Sequence, residues 1–240
     1  MNLLETDTFF NGRVQVKQNQ SGYRFSIDAV LLAYHAKPRS GDKVLDLGTG
    51  CGIIPLILAY RKPEIKIFGI EIQKKLAEIA AINVADNRMK DRISIICKDM
   101  KCLDHTMVSG PVDLIVSNPP YRKVNSGRIN PNRQRAIARH EIKITLDDVL
   151  KTAGRLLRTM GRLVMIYPAE RITDILTRMN KARIEPKFIR MVHSGIDTQA
   201  KLILVEGTKG GRPGIKIAPP LIIYRNNDSY TDEVEKMFLP

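Results

Sequence analysis

The chain of 240 residues has no tryptophan, and aromatic residues of any kind make up only 5% of it. That scarcity excludes a broad aromatic platform on which several planar ligands stack in a row. Cysteine is equally sparse: Cys51, Cys97 and Cys102 form no C-x-x-C pair and no second cluster. An odd, unpatterned set excludes a disulfide framework and a structural zinc site. No apolar run approaches the roughly 20 residues that span a bilayer, and Met1-Asn2-Leu3-Leu4-Glu5 lacks the basic-then-apolar layout of a signal peptide. A reduced, cytoplasmic protein is expected, without a membrane anchor. Acidic residues are also few, 25 against 39 Lys and Arg, for a formal charge of +14. Such an excess favours a polyanionic partner, nucleic acid first and an anionic membrane surface second.

Hydrophobic residues make up 43% of the chain. A fold of this size buries roughly 70–75% of its unfolded surface, so its core is adequate without metal or disulfide. From residue 43 onward, short apolar runs alternate with helical patterns. Strands are expected at 43–47, 66–70, 93–97, 113–117, 162–167, 188–192 and 201–206, and helices at 52–60, 76–84, 146–157 and 172–179. This alternation predicts an α/β fold, a mostly parallel sheet with helices on both faces. Three segments fall outside it: residues 1–40 before the first core strand, a polar insertion at 119–144, and a Gly/Pro-rich stretch at 207–220.

Asp46-Leu47-Gly48-Thr49-Gly50-Cys51-Gly52 stands where the first strand gives way to the first helix. Glycines there let the backbone turn sharply and approach a ligand with no Cβ in the way. A dinucleotide fingerprint requires its third glycine at position 53, which is Ile53; here it comes one residue early, at Gly52. The D-x-G-x-G-x-G spacing instead resembles motif I of class I methyltransferases. Glu71 ends the second strand, where a carboxylate accepts hydrogen bonds from ribose hydroxyls in nucleotide-binding sheets. Asp99 follows the third strand, where the same superfamily contacts the adenine amine. Either acid alone is more often an ordinary helix cap or a surface charge. Three acids at successive strand ends, on one edge, point together to a nucleoside cofactor.

Asn118-Pro119-Pro120-Tyr121 lies at the end of the fourth strand and matches the N-P-P-Y motif of enzymes that methylate amino nitrogens conjugated to planar systems. Such a nitrogen is a poor nucleophile because its lone pair is delocalised. The Asn118 oxygen and the Pro119 carbonyl, both aimed at its N–H bonds, favour a more tetrahedral nitrogen. The prolines fix φ near −65° and bring no N–H donors. Tyr121 offers an aromatic face, and base–aromatic stacking is worth about 1–3 kcal/mol. A sulfonium methyl donor needs neither a metal nor a covalent nucleophile. His35, His105, His140 and His193 have no recognisable catalytic neighbour.

Further stretches extend the resemblance along nearly the whole chain. Gly22-Tyr23-Arg24-Phe25-Ser26-Ile27-Asp28, Ala138-Arg139-His140-Glu141, Lys209-Gly210-Gly211-Arg212 and Pro219-Pro220-Leu221 resemble the bacterial tRNA1(Val) (adenine-37-N6)-methyltransferase family. The resemblance implies a Rossmann-like class I fold, with a seven-stranded, mostly parallel sheet whose last strand is antiparallel. It implies S-adenosyl-L-methionine as cofactor and, as target, the N6 of the adenine 3′ of a tRNA anticodon. Residues 1–240 are then one methyltransferase domain: an amino-terminal extension at 1–40, a core at 41–208, a substrate loop at 119–144 and a carboxyl-terminal extension at 207–240. Phe25, Ser26 and Asp28 are expected to flank the cofactor and its methionine arm, joining Asp46, Gly48, Gly50, Gly52, Glu71, Asp99 and Asn118. Between residues 122 and 139, Arg122, Lys123, Arg128, Arg133, Arg135 and Arg139 occur without an Asp or Glu. With Lys209 and Arg212 they are the candidate contacts to RNA phosphates around an extruded base. The rivals are a release-factor-type glutamine N5-methyltransferase and an rRNA or DNA adenine-N6 methyltransferase. The first of these carries a helical domain before motif I, for which the residues preceding position 46 leave no room.

Overall fold

The apolar runs from residue 43 onward are strands and the stretches of helical pattern between them are helices in the computed structural model, which describes residues 4–19, 26–119, 144–225 and 229–240. A hairpin of β1 (Leu4–Phe9) and β2 (Val14–Asn19) comes first, then α1 (Ile27–Ala36). The core follows as β3 (Lys43–Leu47), α2 (Ile53–Arg61), β4 (Lys66–Glu71), α3 (Lys74–Asp86), β5 (Ile93–Cys97) and β6 (Val112–Ser117). After residue 144 come α4 (Leu146–Leu156), β7 (Leu157–Pro168), α5 (Ile172–Lys181), β8 (Ile184–His193) and β9 (Ala200–Lys209). Two short strands, β10 (Lys216–Ile217) and β11 (Leu221–Ile222), and α6 (Asp232–Glu235) end the chain.

The main sheet runs β5-β4-β3-β6-β7-β9-β8, with β10 and β11 both against the outer edge of β8. All pairings are parallel except those of β9, which runs antiparallel to β7 and β8. Among the described residues the sheet therefore has nine strands rather than the seven expected. Residues 216–222 follow β8 in parallel, but Pro219 and Pro220 lack the N–H that a continuous ladder requires, so the added edge breaks into two pieces. Alternate residues of each strand face opposite sides. In β6, Leu114 and Val116 pack with α1 and α2, while Ile115 packs with α4 and α5.

The amino-terminal hairpin is part of this packing. Val14 and Val16 are fully buried, Phe10 stacks on Tyr60 of α2 at 4.4 Å, and Phe9 stacks on Phe238 at 6.1 Å. The Phe10 amide also donates to the Phe238 carbonyl, tying the two ends of the chain together over α2.

Candidate cofactor and reaction site

The strands β3, β4, β5 and β6 are parallel and in register, so Leu47, Glu71, Cys97 and Ser117 end on one edge. The glycine turn is built on that edge. The amides of Gly48 and Thr49 both donate to the Ile70 carbonyl at 2.9 Å, which folds the chain back over β4. Gly48 has φ +82°, and a Cβ built there would meet nothing within 4 Å, so its face of the turn is open. Gly52, with φ +87°, lies against α3: a Cβ there would stand 3.2 Å from that of Ala80. One glycine keeps space for a ligand and the other lets two elements meet.

Glu71 is buried, and its two carboxylate oxygens accept the amides of Gly50 (3.0 Å) and Gln73 (2.9 Å). It therefore clamps the turn onto β4. Asp46, beneath the same turn, is wholly buried, and neither oxygen has a hydrogen-bond partner; the Thr49 hydroxyl is likewise buried and unpartnered. Burial pushes the Asp46 carboxyl up to about 7, and the nearby Glu71 charge adds to the rise. The Thr49 side chain pulls it back in part, although no hydrogen bond of normal geometry joins the two. Two unpaired acceptors buried under a turn with an open face are costly unless a donor-bearing ligand completes them.

Asp99 sits where β5 ends, caps the following turn by accepting the Lys101 amide at 3.0 Å, and pairs with the Lys101 ammonium at 3.4 Å. Asn118 is half-buried and Pro119 buried at the end of β6. The Ser117 hydroxyl donates to the Leu47 carbonyl at 2.8 Å, which stitches the start of the N-P-P-Y segment to the start of the glycine turn. Ser26 occupies the cap position of α1 and Asp28 its first turn. Burial raises the Asp28 carboxyl, with the Ser26 hydroxyl opposing the rise. The carbonyls at the other end of α1, Ala36 and Lys37, accept hydrogen bonds from Arg162 of β7. Phe25, Pro120, Tyr121, Arg122, Lys123, Arg128, Arg133, Arg135, Arg139 and the Ala138–Glu141 segment lie outside the described residues.

Lys209 and Arg212 do not stand at this edge. Because β9 is antiparallel, its last residues are where the other strands begin: Thr208 pairs with Arg162, Lys209 pairs with Ile184, and the Lys209 ammonium holds the Leu157 carbonyl at 2.6 Å. The expectation that this loop flanks the reaction crevice is thus corrected by strand direction. A cavity of about 440 Å³ bounded by His35, Lys37, Arg162, Phe188 and Arg190 opens at the same far end. Its arginines are already engaged, Arg162 with Glu206 and backbone carbonyls and Arg190 with both oxygens of Glu233.

A family model described as methyltransferase small domain matches residues 21–183. A relative from Porphyromonas gingivalis (strain ATCC 33277), named tRNA1(Val) (adenine(37)-N6)-methyltransferase, is 38% identical over 178 residues, covering 72% of this chain and 69% of its own length. One of the same name from Bacteroides thetaiotaomicron is 34% identical over 171 residues, 71% of this chain and 68% of its own. The chain belongs to this methyltransferase family. Among solved structures, a predicted O-methyltransferase from Agrobacterium tumefaciens superimposes with a TM-score of 0.70 at 22% identity, covering 88% of this chain and 94% of its own. Geranyl diphosphate C-methyltransferase from Streptomyces coelicolor A3(2), crystallised with S-adenosyl-L-homocysteine, gives 0.53 at 16% identity, covering 75% and 77%. These two share the fold of this methyltransferase.

The methyltransferase takes S-adenosyl-L-methionine as its cofactor, and the residues present suit that molecule. Its charge is cationic at both sulfonium and ammonium, and the turn offers the unpaired Asp46 carboxylate, the Thr49 hydroxyl and the open face at Gly48. Among the described residues no three His, Cys, Asp or Glu side chains gather to hold a metal ion, and no helix is long and apolar enough to cross a membrane.

Three contributors carry no motif label in the sequence: Thr49, Ser117 and Asn83, whose side chain donates to the Cys51 carbonyl at 2.8 Å. Asn83 had a legible signal, since it interrupts the apolar stripe of Ala77, Ile79, Ala80 and Val84 on α3 with a fully buried amide.

Proposed function

We propose that this chain methylates the N6 nitrogen of an adenine in tRNA, the one immediately 3′ of the anticodon. The observation that carries the reading is the stitch between Ser117 and Leu47, because it brings the Asn118-Pro119 carbonyls beside the glycine turn. The relatives named for adenine-37 of tRNA1(Val) supply the substrate class. A cytoplasmic location follows from a tRNA substrate, and residues 1–240 act as one domain in this reading.

S-adenosylmethionine supplies an electrophilic methyl group on a positively charged sulfur. The residues of the chain do the rest. Glu71 accepts the ribose hydroxyls while clamping Gly50, Asp46 and Thr49 receive donors of the methionine arm, and Asp99 meets the adenine amine. Asn118 and Pro119 accept the two N–H bonds of the target amine, concentrating its lone pair on nitrogen. Tyr121 stacks on the target base. Once the methyl has been transferred, the amine releases a proton to water, since Asn118 is not a base.

Glu71→Ala is expected to weaken S-adenosylmethionine and S-adenosylhomocysteine alike, by about 10- to 150-fold, as the loss of a charge-assisted hydrogen bond of roughly 1.5–3 kcal/mol requires. Calorimetry on the folded variant checks this, and unchanged affinity contradicts the assignment.

The cations at 122–139 grip the RNA backbone. Neutralising Arg133 and Arg135 together should weaken every RNA ligand similarly and flatten the salt dependence of binding by about 1.5–2 units of log–log slope. Arg212→Gln, at the opposite end of the sheet, should leave that slope unchanged. A salt titration of tRNA binding reads both, and parallel lines for wild type and double variant refute the grip.

Purified enzyme incubated with methyl-labelled cofactor and separate pools of tRNA, rRNA, DNA and release factors tests the substrate class. Label in tRNA alone is the expected result. Label confined to release factors supports glutamine methylation instead.

A further inference from the structure

We infer that Asn83 is a positioning residue for the cofactor turn, locking the Cys51–Gly52 peptide and coupling it to the amino-terminal hairpin. The inference rests on the reading of the glycine turn as the cofactor site.

Asn83 is fully buried on α3 with every polar atom of its side chain used. Its Oδ1 accepts the Lys17 amide at 2.8 Å, and its Nδ2 donates to the Lys17 carbonyl at 2.9 Å and to the Cys51 carbonyl at 2.8 Å. Toward β2 it thus behaves as the next strand would, filling both the N–H and the C=O of one residue on an open edge. Asn87, one helical turn later, repeats this with Gln15: Oδ1 accepts its amide at 2.9 Å and Nδ2 donates to its carbonyl at 2.6 Å. The spacings match, four residues on the helix and two on the strand, so α3 offers β2 a short ladder of amides.

The two rungs differ in what else they hold: the Asn87 Nδ2 also donates to the Asn83 carbonyl within α3, at 2.8 Å. Only Asn83 reaches the glycine turn. The peptide whose carbonyl it holds has the Gly52 amide at its other end, and that amide donates to the Thr49 carbonyl at 2.9 Å. One peptide plane is therefore pinned on both sides. Its neighbour Gly52 has φ +87° and tolerates many orientations, so sequence-local preference does not hold the plane. The same asparagine anchors β2, which leads directly into residues 20–28, where Ser26 and Asp28 stand. A single side chain thus holds both the turn and the second strand of the hairpin.

The pair of rungs provides its own control. Asn83→Leu removes the bond to the turn together with the bonds to the hairpin, and Asn87→Ala removes hairpin bonds and one bond within α3, to the Asn83 carbonyl, but none to the turn. Both should lower the melting temperature. Asn83→Leu should raise the Kd of S-adenosylhomocysteine about tenfold, as the loss of one buried hydrogen bond at the turn implies. It should raise the KM for S-adenosylmethionine by the same factor while leaving kcat on tRNA within about twofold. Asn87→Ala should leave Kd and KM at wild-type values. If Asn83→Leu does not melt cooperatively, Asn83→Ser carries the same comparison with a smaller polar side chain. Equal cofactor affinity in wild type and the Asn83 variant overturns the inference, as does an equal loss in Asn87→Ala, which ties affinity to hairpin stability instead. A wild-type protein that binds neither cofactor form refutes the underlying reading of the turn, a different result from either.

Discussion

Asn118→Ala should lower turnover on tRNA by about a hundred- to a thousandfold and leave S-adenosylmethionine affinity within about twofold. The magnitude is that of removing one preorganised polar group that meets charge developing in a transition state. The direction follows from position. Asn118 leaves β6 directly after Ser117, whose hydroxyl is fixed on Leu47, so the backbone there is held by a bond that does not involve the Asn118 side chain. Truncation should therefore remove the acceptor without moving Pro119 or the glycine turn. Single-turnover kinetics at saturating cofactor, beside calorimetry of cofactor binding, separate the two effects. A variant that loses cofactor affinity and turnover in equal measure contradicts the role proposed for this residue.

Asp46→Asn should make the ligand-free protein more stable at pH 8, by about 2–4 kcal/mol, while weakening cofactor binding. Burial raises the Asp46 carboxyl from 3.8 to about 7, and each pKa unit corresponds to about 1.4 kcal/mol. The sign follows from proton counts. Between pH 3.8 and 7 the folded state holds a proton that the unfolded state has released, so this residue lowers stability as pH rises across that window, with the full cost above pH 7. His35 works in the opposite sense. Burial first, then Lys37, Arg190 and Arg162, hold its imidazole down at about 4. Its contribution is complete above pH 6.5 and is lost as pH falls from there toward 4. Across the shared window, about pH 4 to 6.5, the two slopes oppose one another and the wild-type profile is flattened. Asp46→Asn should expose the His35 slope, with stability falling as the solution is acidified. His35→Gln should expose the reverse. Urea unfolding across this pH range reads all three proteins, and superimposable pH profiles sink the account of both groups.

Much of the core was legible because its signals are local. The runs at 43–47 and 93–97 are strands with the same bounds, and the D-x-G-x-G-x-G turn falls between β3 and α2 because glycines with positive φ are needed there. The hairpin in residues 4–19 was legible too, though missed: Asn11-Gly12 between Leu4–Phe9 and the alternating Val14–Asn19 is the short-range signal for a tight reversal. Its short strands carry many polar residues, and their burial comes from α2, α3 and Phe238, partners far away in sequence. Helix α1 escaped because eight of its ten residues are apolar, so it has no clear polar stripe. The placement of Lys209 and Arg212 failed for another reason. A basic Gly-rich loop reads the same at either end of a sheet, and only the antiparallel direction of β9 decides which end it occupies. In the site, residue types were readable and partners were not. Glu71 was expected to meet a ribose, and its second role as the clamp on Gly50 emerges only when β4 lies beside β3.

The central claim, methylation of an exocyclic amine of adenine in tRNA, is tested most directly by digesting the product RNA and separating its nucleosides by mass spectrometry. Incubation of the enzyme with unmodified tRNA and S-adenosylmethionine should yield N6-methyladenosine, carried by the anticodon-loop fragment and confined to the adenine 3′ of the anticodon. The same digest from Asn118→Ala should contain almost none. N1-methyladenosine, whose methyl sits on a ring nitrogen, or a pyrimidine methylated on a ring carbon, would contradict the account, because the methylated atom would then not be the exocyclic amine that the acceptors at Asn118 and Pro119 meet; N4-methylcytidine would contradict the assignment to adenine.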